Sequence, residues 1–111
     1  MESKVREIVT SEIFDNIDIP SIFYYGMETF GIKLADNFIE EIYKRIENLE
    51  TQYLLHPESR HLETKTKIYR NIILGSYLII YRIRTNKIEV LRAFHGSRSP
   101  KIIKQVRKVK V

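Results

Sequence analysis

Apolar positions change their period once along the chain, and that change divides it. From Leu34 to Tyr53 they recur at three- and four-residue steps, through Leu34, Phe38, Ile42, Ile46 and Leu49, joined by Ile39, Tyr43 and Tyr53. The opposite positions hold Asp36, Glu40, Lys44, Glu47 and Glu50. This spacing predicts an amphipathic helix over about 32–52, packed on something flat. From Lys67 onward the period becomes two. Three runs rich in Ile, Val and Tyr, at 67–74, 77–84 and 87–95, predict strands. Gly75-Ser76 and Thr85-Asn86 separate them as hairpin connections, since Gly and Asn tolerate positive φ. On the middle run Tyr77, Ile79, Tyr81 and Ile83 share one face, and Leu78, Ile80, Arg82 and Arg84 share the other.

Ahead of the long helix, Val5 to Val9 has the β-branched character of a short first strand. Residues 11–16 are ambiguous and fit a helical turn. Asp18 is predicted as an N-cap, with Pro20 in the first turn, where a missing N–H has no partner to lose. A helix over about 19–30 follows, and Gly31 suits the left-handed position that ends it. Residues 54–61 read as a loop, stopped by Pro57. The predicted fold is therefore α+β: an N-terminal strand, two antiparallel helices, then a three-stranded antiparallel meander whose sheet the helices cover on one face.

A chain of 111 residues with 43% hydrophobic content supports one domain with a modest core and argues against disorder. The absence of cysteine excludes disulfides and thiolate metal sites and agrees with a reducing cytoplasm. Three scattered histidines without a shared short spacing give no metal set, and no cofactor is expected. The charged start, Met-Glu-Ser-Lys-Val-Arg-Glu, lacks a signal-peptide core, and no apolar run approaches the roughly 18 residues of a membrane span. A cytoplasmic protein without a membrane partner is the expectation.

Charge sharpens the picture. The net value is +5, and six of the 19 Lys and Arg residues lie between Arg98 and Val111, leaving 13 bases against 14 acids elsewhere. The division expected is a domain over 1–97 and a basic tail over 98–111. Such a tail favours an anionic partner, with a solvated terminus as the plain alternative. Its apolar residues, Ile102, Ile103, Val106, Val109 and Val111, predict a short helix or strand that docks.

Three segments carry a resemblance. They are Ile68-Tyr69-Arg70, then Gly75-Ser76-Tyr77-Leu78-Ile79-Ile80-Tyr81-Arg82-Ile83, then Ile88-Glu89-Val90-Leu91-Arg92-Ala93-Phe94-His95-Gly96-Ser97-Arg98. Together they resemble the C-terminal half of the RelE/ParE toxins of bacterial toxin–antitoxin pairs. Phe30-Gly31, Ala35, Phe38 and Ile42 match the helical pair, and His56-Pro57-Glu58-Ser59 matches the Pro-containing loop. The likeness runs from about residue 4 to 100. It implies a toxin neutralised by a cognate antitoxin, present as a homodimer or as a toxin–antitoxin hetero-oligomer. One branch cuts messenger RNA on the ribosome; the ParE branch blocks DNA gyrase and does no chemistry.

The ribonuclease branch places an Arg where this chain has Leu78, and a leucine gives a phosphate no charge-assisted hydrogen bond. It also carries a Tyr near the position of Lys104, whereas no Tyr follows Tyr81. The resemblance is thus closer to ParE. As the alternative, His95 stands where YoeB-like ribonucleases have a catalytic His, with Glu58 and Glu63 as loop carboxylates and His56 and His61 as substitutes. A second alternative is a toxin-derived binding module without toxicity. Target or phosphate contact is expected at Arg82, Arg84, Arg98, Lys101 and Lys104. Arg92, in phase with Ile88, Val90 and Phe94, needs a carboxylate partner if buried, and Glu40 or Glu47 is expected.

Overall fold

A computed structural model describes residues 5–111; the charged start read above lies partly in 1–4, outside the described residues. The elements, in order, are β1 (Glu7–Thr10), a π-helical turn (Phe14–Asp18), α1 (Ile19–Phe30), α2 (Ile32–Glu47), α3 (Leu49–Gln52), β2 (Tyr69–Leu74), β3 (Tyr77–Ile83), β4 (Lys87–His95), α4 (Pro100–Lys104) and a 3₁₀ turn (Gln105–Lys108). The predicted meander is present, and β1 joins it, giving a four-stranded sheet in the order β1-β4-β3-β2. β1 runs parallel to β4 while the other pairs are antiparallel. Periodicity shows that a strand exists but not what it pairs with, so the parallel join lay outside the sequence pattern.

Helix α1 begins differently from expectation. Asp18 is itself helical (φ −67°, ψ −51°) and makes no capping bond. The helical run starts before it, at Glu12, and Ile19 donates to the carbonyl of Phe14 across a wide turn. Pro20 accounts for the width: it cannot donate to the preceding turn, and its ring crowds the carbonyl four residues back. Gly31 does end α1, with φ 92° and ψ 162°, donating to Met27 and accepting from Ala35 to start α2. Only glycine occupies that region at low cost.

The helices bury one face of the sheet, as expected. Phe14, Ile22, Ile42, Ile46 and Leu49 pack on Ile72, Ile79, Tyr81, Ile88, Val90 and Ala93. Leu34, assigned to the buried stripe by its spacing, is exposed at the tip of the helical hairpin, and Ala35 is buried in its place. The other sheet face is covered as well. The tail docks there, and Ile103 and Val106 complete a second core with Leu62, Tyr69, Ile80, Leu91 and Phe94. A β-bulge divides the two sides: Tyr81 pairs with Val90 but Ile80 pairs with Arg92, leaving Leu91 as the extra residue. Val90 and Ala93 therefore reach the helices while Leu91 and Phe94 reach the tail, and the expected common phase of Val90, Arg92 and Phe94 is broken.

Candidate functional site

β1 ends at Thr10, so beyond Val90 the outer edge of β4 has no strand beside it. Two short polar side chains take that place. Ser11 donates its backbone N–H to Val90 (2.9 Å) and its hydroxyl to the Leu91 carbonyl (2.6 Å), while accepting from the N–H of Phe14 (3.0 Å). The buried Asp18 carboxylate accepts from the Ala93 N–H (2.8 Å) and from Nε and Nη2 of Arg92 (2.9 Å each). Arg92 is paired, as its position required, but with Asp18 rather than Glu40 or Glu47. The bulge turns Arg92 toward the sheet edge, where the π-helical turn packs, and away from α2.

This anchor forms the wall of a pocket of about 360 Å³ lined by Tyr25, Tyr77, Arg92, His95 and Arg98, among others. Tyr77 meets His95 edge-on at 5.7 Å. Burial raises the Tyr77 hydroxyl above its ordinary pKa, and neighbouring Tyr25 adds to the shift. His95 Nδ1 accepts the Ser97 backbone N–H (3.2 Å) and lies 2.7 Å from its hydroxyl. With Nδ1 accepting, the neutral ring carries its proton on Nε2.

A second, apolar cleft of about 280 Å³ shares Ile22, Tyr25 and Tyr77 and continues between α1 and α2 past Gly26, Phe30 and Leu34. A Cβ on Gly26 would lie 3.3 Å from that of Ala35, so the glycine sets the close helix approach. Tyr24, Tyr25, Phe30, Ile32 and Leu34 leave this end of the hairpin largely uncovered. A contiguous apolar surface of this kind marks a binding face.

The remaining candidate residues lie elsewhere. Glu58 bridges β2 at Arg70, accepts from the Thr64 N–H (3.1 Å), and stands at the opposite end of the sheet from His95. At ~3.3 Å per residue and ~4.8 Å per strand, the two are roughly 20 Å apart. Glu63 is exposed, and its carbonyl accepts from Arg107 (3.1 Å). Arg82, expected at a contact surface, is instead 5% exposed. Its Nε donates to Glu89 (2.7 Å), its Nη1 to Tyr69 (3.3 Å), and its Nη2 to the Val109 carbonyl (3.1 Å). Desolvation opposes the charge on Arg82, but hydrogen bonds to Tyr69 and Glu89 outweigh it and raise the pKa. Glu89 is held below the ordinary carboxylate range because Arg82 and Arg84 together outweigh its own desolvation. The docking tail removes Arg82 from solvent, which strand periodicity alone could not reveal.

Arg84 stays half exposed and shares Glu89 (3.0 Å). Arg98, Lys101 and Lys104 are exposed, with Arg98 alone among them lining the His95 pocket. Among the described residues no cluster of His, Asp and Glu could hold a metal ion, and no helix is long and apolar enough to cross a membrane. Asp18 and Tyr25 were not singled out for the site. Nothing in linear spacing links Asp18 to Arg92, 74 residues away.

A helical hairpin on one face of a four-stranded sheet, with a docked C-terminal segment on the other, defines a small α+β architecture. Residues 18–100 match the family described as ParE toxin of type II toxin-antitoxin system, parDE, and the chain belongs to that family. Among solved structures it is similar to one titled "Chromosomal ParDE TA system from P. aeruginosa", with TM-score 0.68 and 16% identity over 84% of this chain and 98% of that one. No curated protein sequence matches it.

Proposed function

We propose that this chain is the toxin of a toxin–antitoxin pair and arrests growth by binding DNA gyrase or another replication target, with no chemistry of its own. The observation that carries this reading is the dispersal of the groups a ribonuclease would need. His95 has its Nδ1 engaged by Ser97, and Glu58 lies across the sheet with its carboxylate on Thr64. Arg82 is enclosed by Glu89 and the tail, and position 78 is leucine. General acid–base catalysis requires those groups within hydrogen-bond reach of one reacting centre.

A cognate antitoxin would hold the toxin inactive in the cytoplasm. The apolar cleft between α1 and α2 suits the apolar face of a helix. The far half of the β2 edge suits an added strand, because residues 57–59 bond only its first half, at Tyr69 and Asn71. On the target side, Arg98 beside the His95 pocket is the leading contact, with Lys101 and Lys104 next along the tail.

The test is supercoiling by purified gyrase. Wild-type chain should block it, and Arg98→Ala should require roughly tenfold more protein, the loss expected for one exposed charged contact at about 1.4 kcal/mol. Normal supercoiling in the presence of excess wild-type chain would reject gyrase as the target.

A further inference from the structure

We propose that the sheet face opposite the helices, centred on the docked tail, binds the phosphate backbone of duplex DNA directly. This inference does not depend on which protein the toxin targets.

Its basis is how the fold distributes charge. Residues 12–52, which make up the helical layer, carry nine acids against three bases. Residues 53–111 carry fourteen bases against three acids. Arg70 and Arg92 are engaged by the Leu54 and His56 carbonyls and by Asp18, respectively. The five bases from Lys101 to Lys110, however, ride on the tail, which covers the sheet face opposite the acidic helices, so charge is polarised across the molecule. A basic stripe confined to one face is the electrostatic footprint of nucleic-acid binding, and the acidic layer behind it orients the approach.

The stripe is held in a fixed form. Ile103 and Val106 point into the second core, and Arg82 donates to the carbonyls of Arg107 (3.4 Å) and Val109 (3.1 Å). Arg107 donates onward to the Glu63 carbonyl (3.1 Å). Ser99 caps α4 by accepting from the Ile102 N–H (3.4 Å). With its apolar side anchored, the segment presents Lys101, Lys104, Arg107, Lys108 and Lys110 to solvent, while Arg98 lines the His95 pocket beside α1. Among the described residues none of these six joins a carboxylate. At about 1.5 Å per α-helical and 2.0 Å per 3₁₀ residue, Pro100 to Lys108 spans roughly 15 Å, along which B-DNA carries on the order of nine phosphate charges.

The same face argues against other polyanions. Recognition of single strands relies on exposed aromatic side chains, and here Tyr69 and Phe94 are buried. The large exposed aromatics, Tyr24, Tyr25, Phe30 and Tyr43, all lie in the helical layer. An interfacial membrane helix needs an unburied apolar face, and the tail has turned its own inward, leaving Val111 exposed.

The experiment is fluorescence anisotropy of the purified full chain with a labelled duplex about two helical turns long, without gyrase. With about four or five phosphate contacts, log K should fall against log salt with a slope near −4, or about 250-fold between roughly 50 and 200 mM. Changing Lys101, Lys104, Lys108 and Lys110 together to Gln removes exposed charges and no packing. It should weaken binding at low salt by at least about a hundredfold and flatten the slope to near −1, with an unchanged circular-dichroism spectrum. Lys33→Gln with Lys44→Gln, on the helical layer, should leave binding intact. Failure of the folded wild type to bind duplex at low salt overturns the proposal. So does undiminished binding by the quadruple variant, or tighter binding to single-stranded RNA or anionic vesicles than to duplex. Because the mixture contains no gyrase, this result is separate from the fate of the supercoiling test.

Discussion

The Asp18 carboxylate lies 2.9 Å from both Nε and Nη2 of Arg92, joining the π-helical turn to β4 across 74 residues of chain. It also accepts the Ala93 N–H and so completes the sheet edge that β1 leaves open. Removing it strands a guanidinium and a backbone donor together. For a fully buried pair that costs about 3–5 kcal/mol. Arg92 is 25% exposed and can partly rehydrate, so Asp18→Ala should lose about 2–3 kcal/mol in urea unfolding. A loss below about 0.5 kcal/mol would mean the pair does not hold the edge.

Gly31 tests backbone geometry apart from packing. A Cβ there meets nothing within 4 Å, yet φ is +92°. Gly31→Ala should cost about 1–3 kcal/mol through strain alone. Because its neighbour Phe30 lines the apolar cleft, the same change should weaken antitoxin capture, read by titration calorimetry.

The tail belongs to the folded body through its second core. Ile103→Ala deletes a side chain seated against Tyr69, Ile80 and Phe94 in that cluster and should destabilise by about 2–3 kcal/mol. An urea midpoint unchanged by this substitution would show the tail undocked in solution.

Acidification should weaken the fold in two stages. Burial, then Arg45 and Arg70, hold His56 below its ordinary value of 6.5. The unfolded chain takes up that proton first, so the contribution is complete above the unfolded value and is lost as pH falls below it toward the folded one. His56→Gln should flatten the stability profile in that window. Glu89, also held low, contributes above the ordinary carboxylate value of 4.5 and loses its contribution as pH falls through its folded value. If wild type and His56→Gln give parallel profiles from pH 7.5 to 5, His56 carries none of the dependence.

Element type was legible wherever one period ran long enough. The β3 alternation placed Ile79 and Tyr81 opposite Ile80, and the structure puts them in opposite cores. The α2 stripe was legible in its middle, at Ile42 and Ile46, and misread at Leu34, where the helix overhangs the sheet. Two local breaks in regularity were invisible. Pro20 could be a helix start or sit within a longer run, and only the wide turn from Phe14 shows the latter. The bulge at Leu91 reverses the phase of β4, and an unbroken alternation turns Arg92 toward α2 instead of Asp18. Of the candidate residues, His95 and Arg98 do come together at one pocket. Arg82 was misplaced because its exposure depends on a tail more than fifteen residues away in sequence.

Arrest by binding and arrest by cutting are separated by inducing wild type and His95→Ala in bacteria and mapping message 5′ ends. Equal growth arrest with intact messages is expected in both. Codon-spaced cleavage in the wild type that disappears in His95→Ala would make the chain a ribonuclease instead.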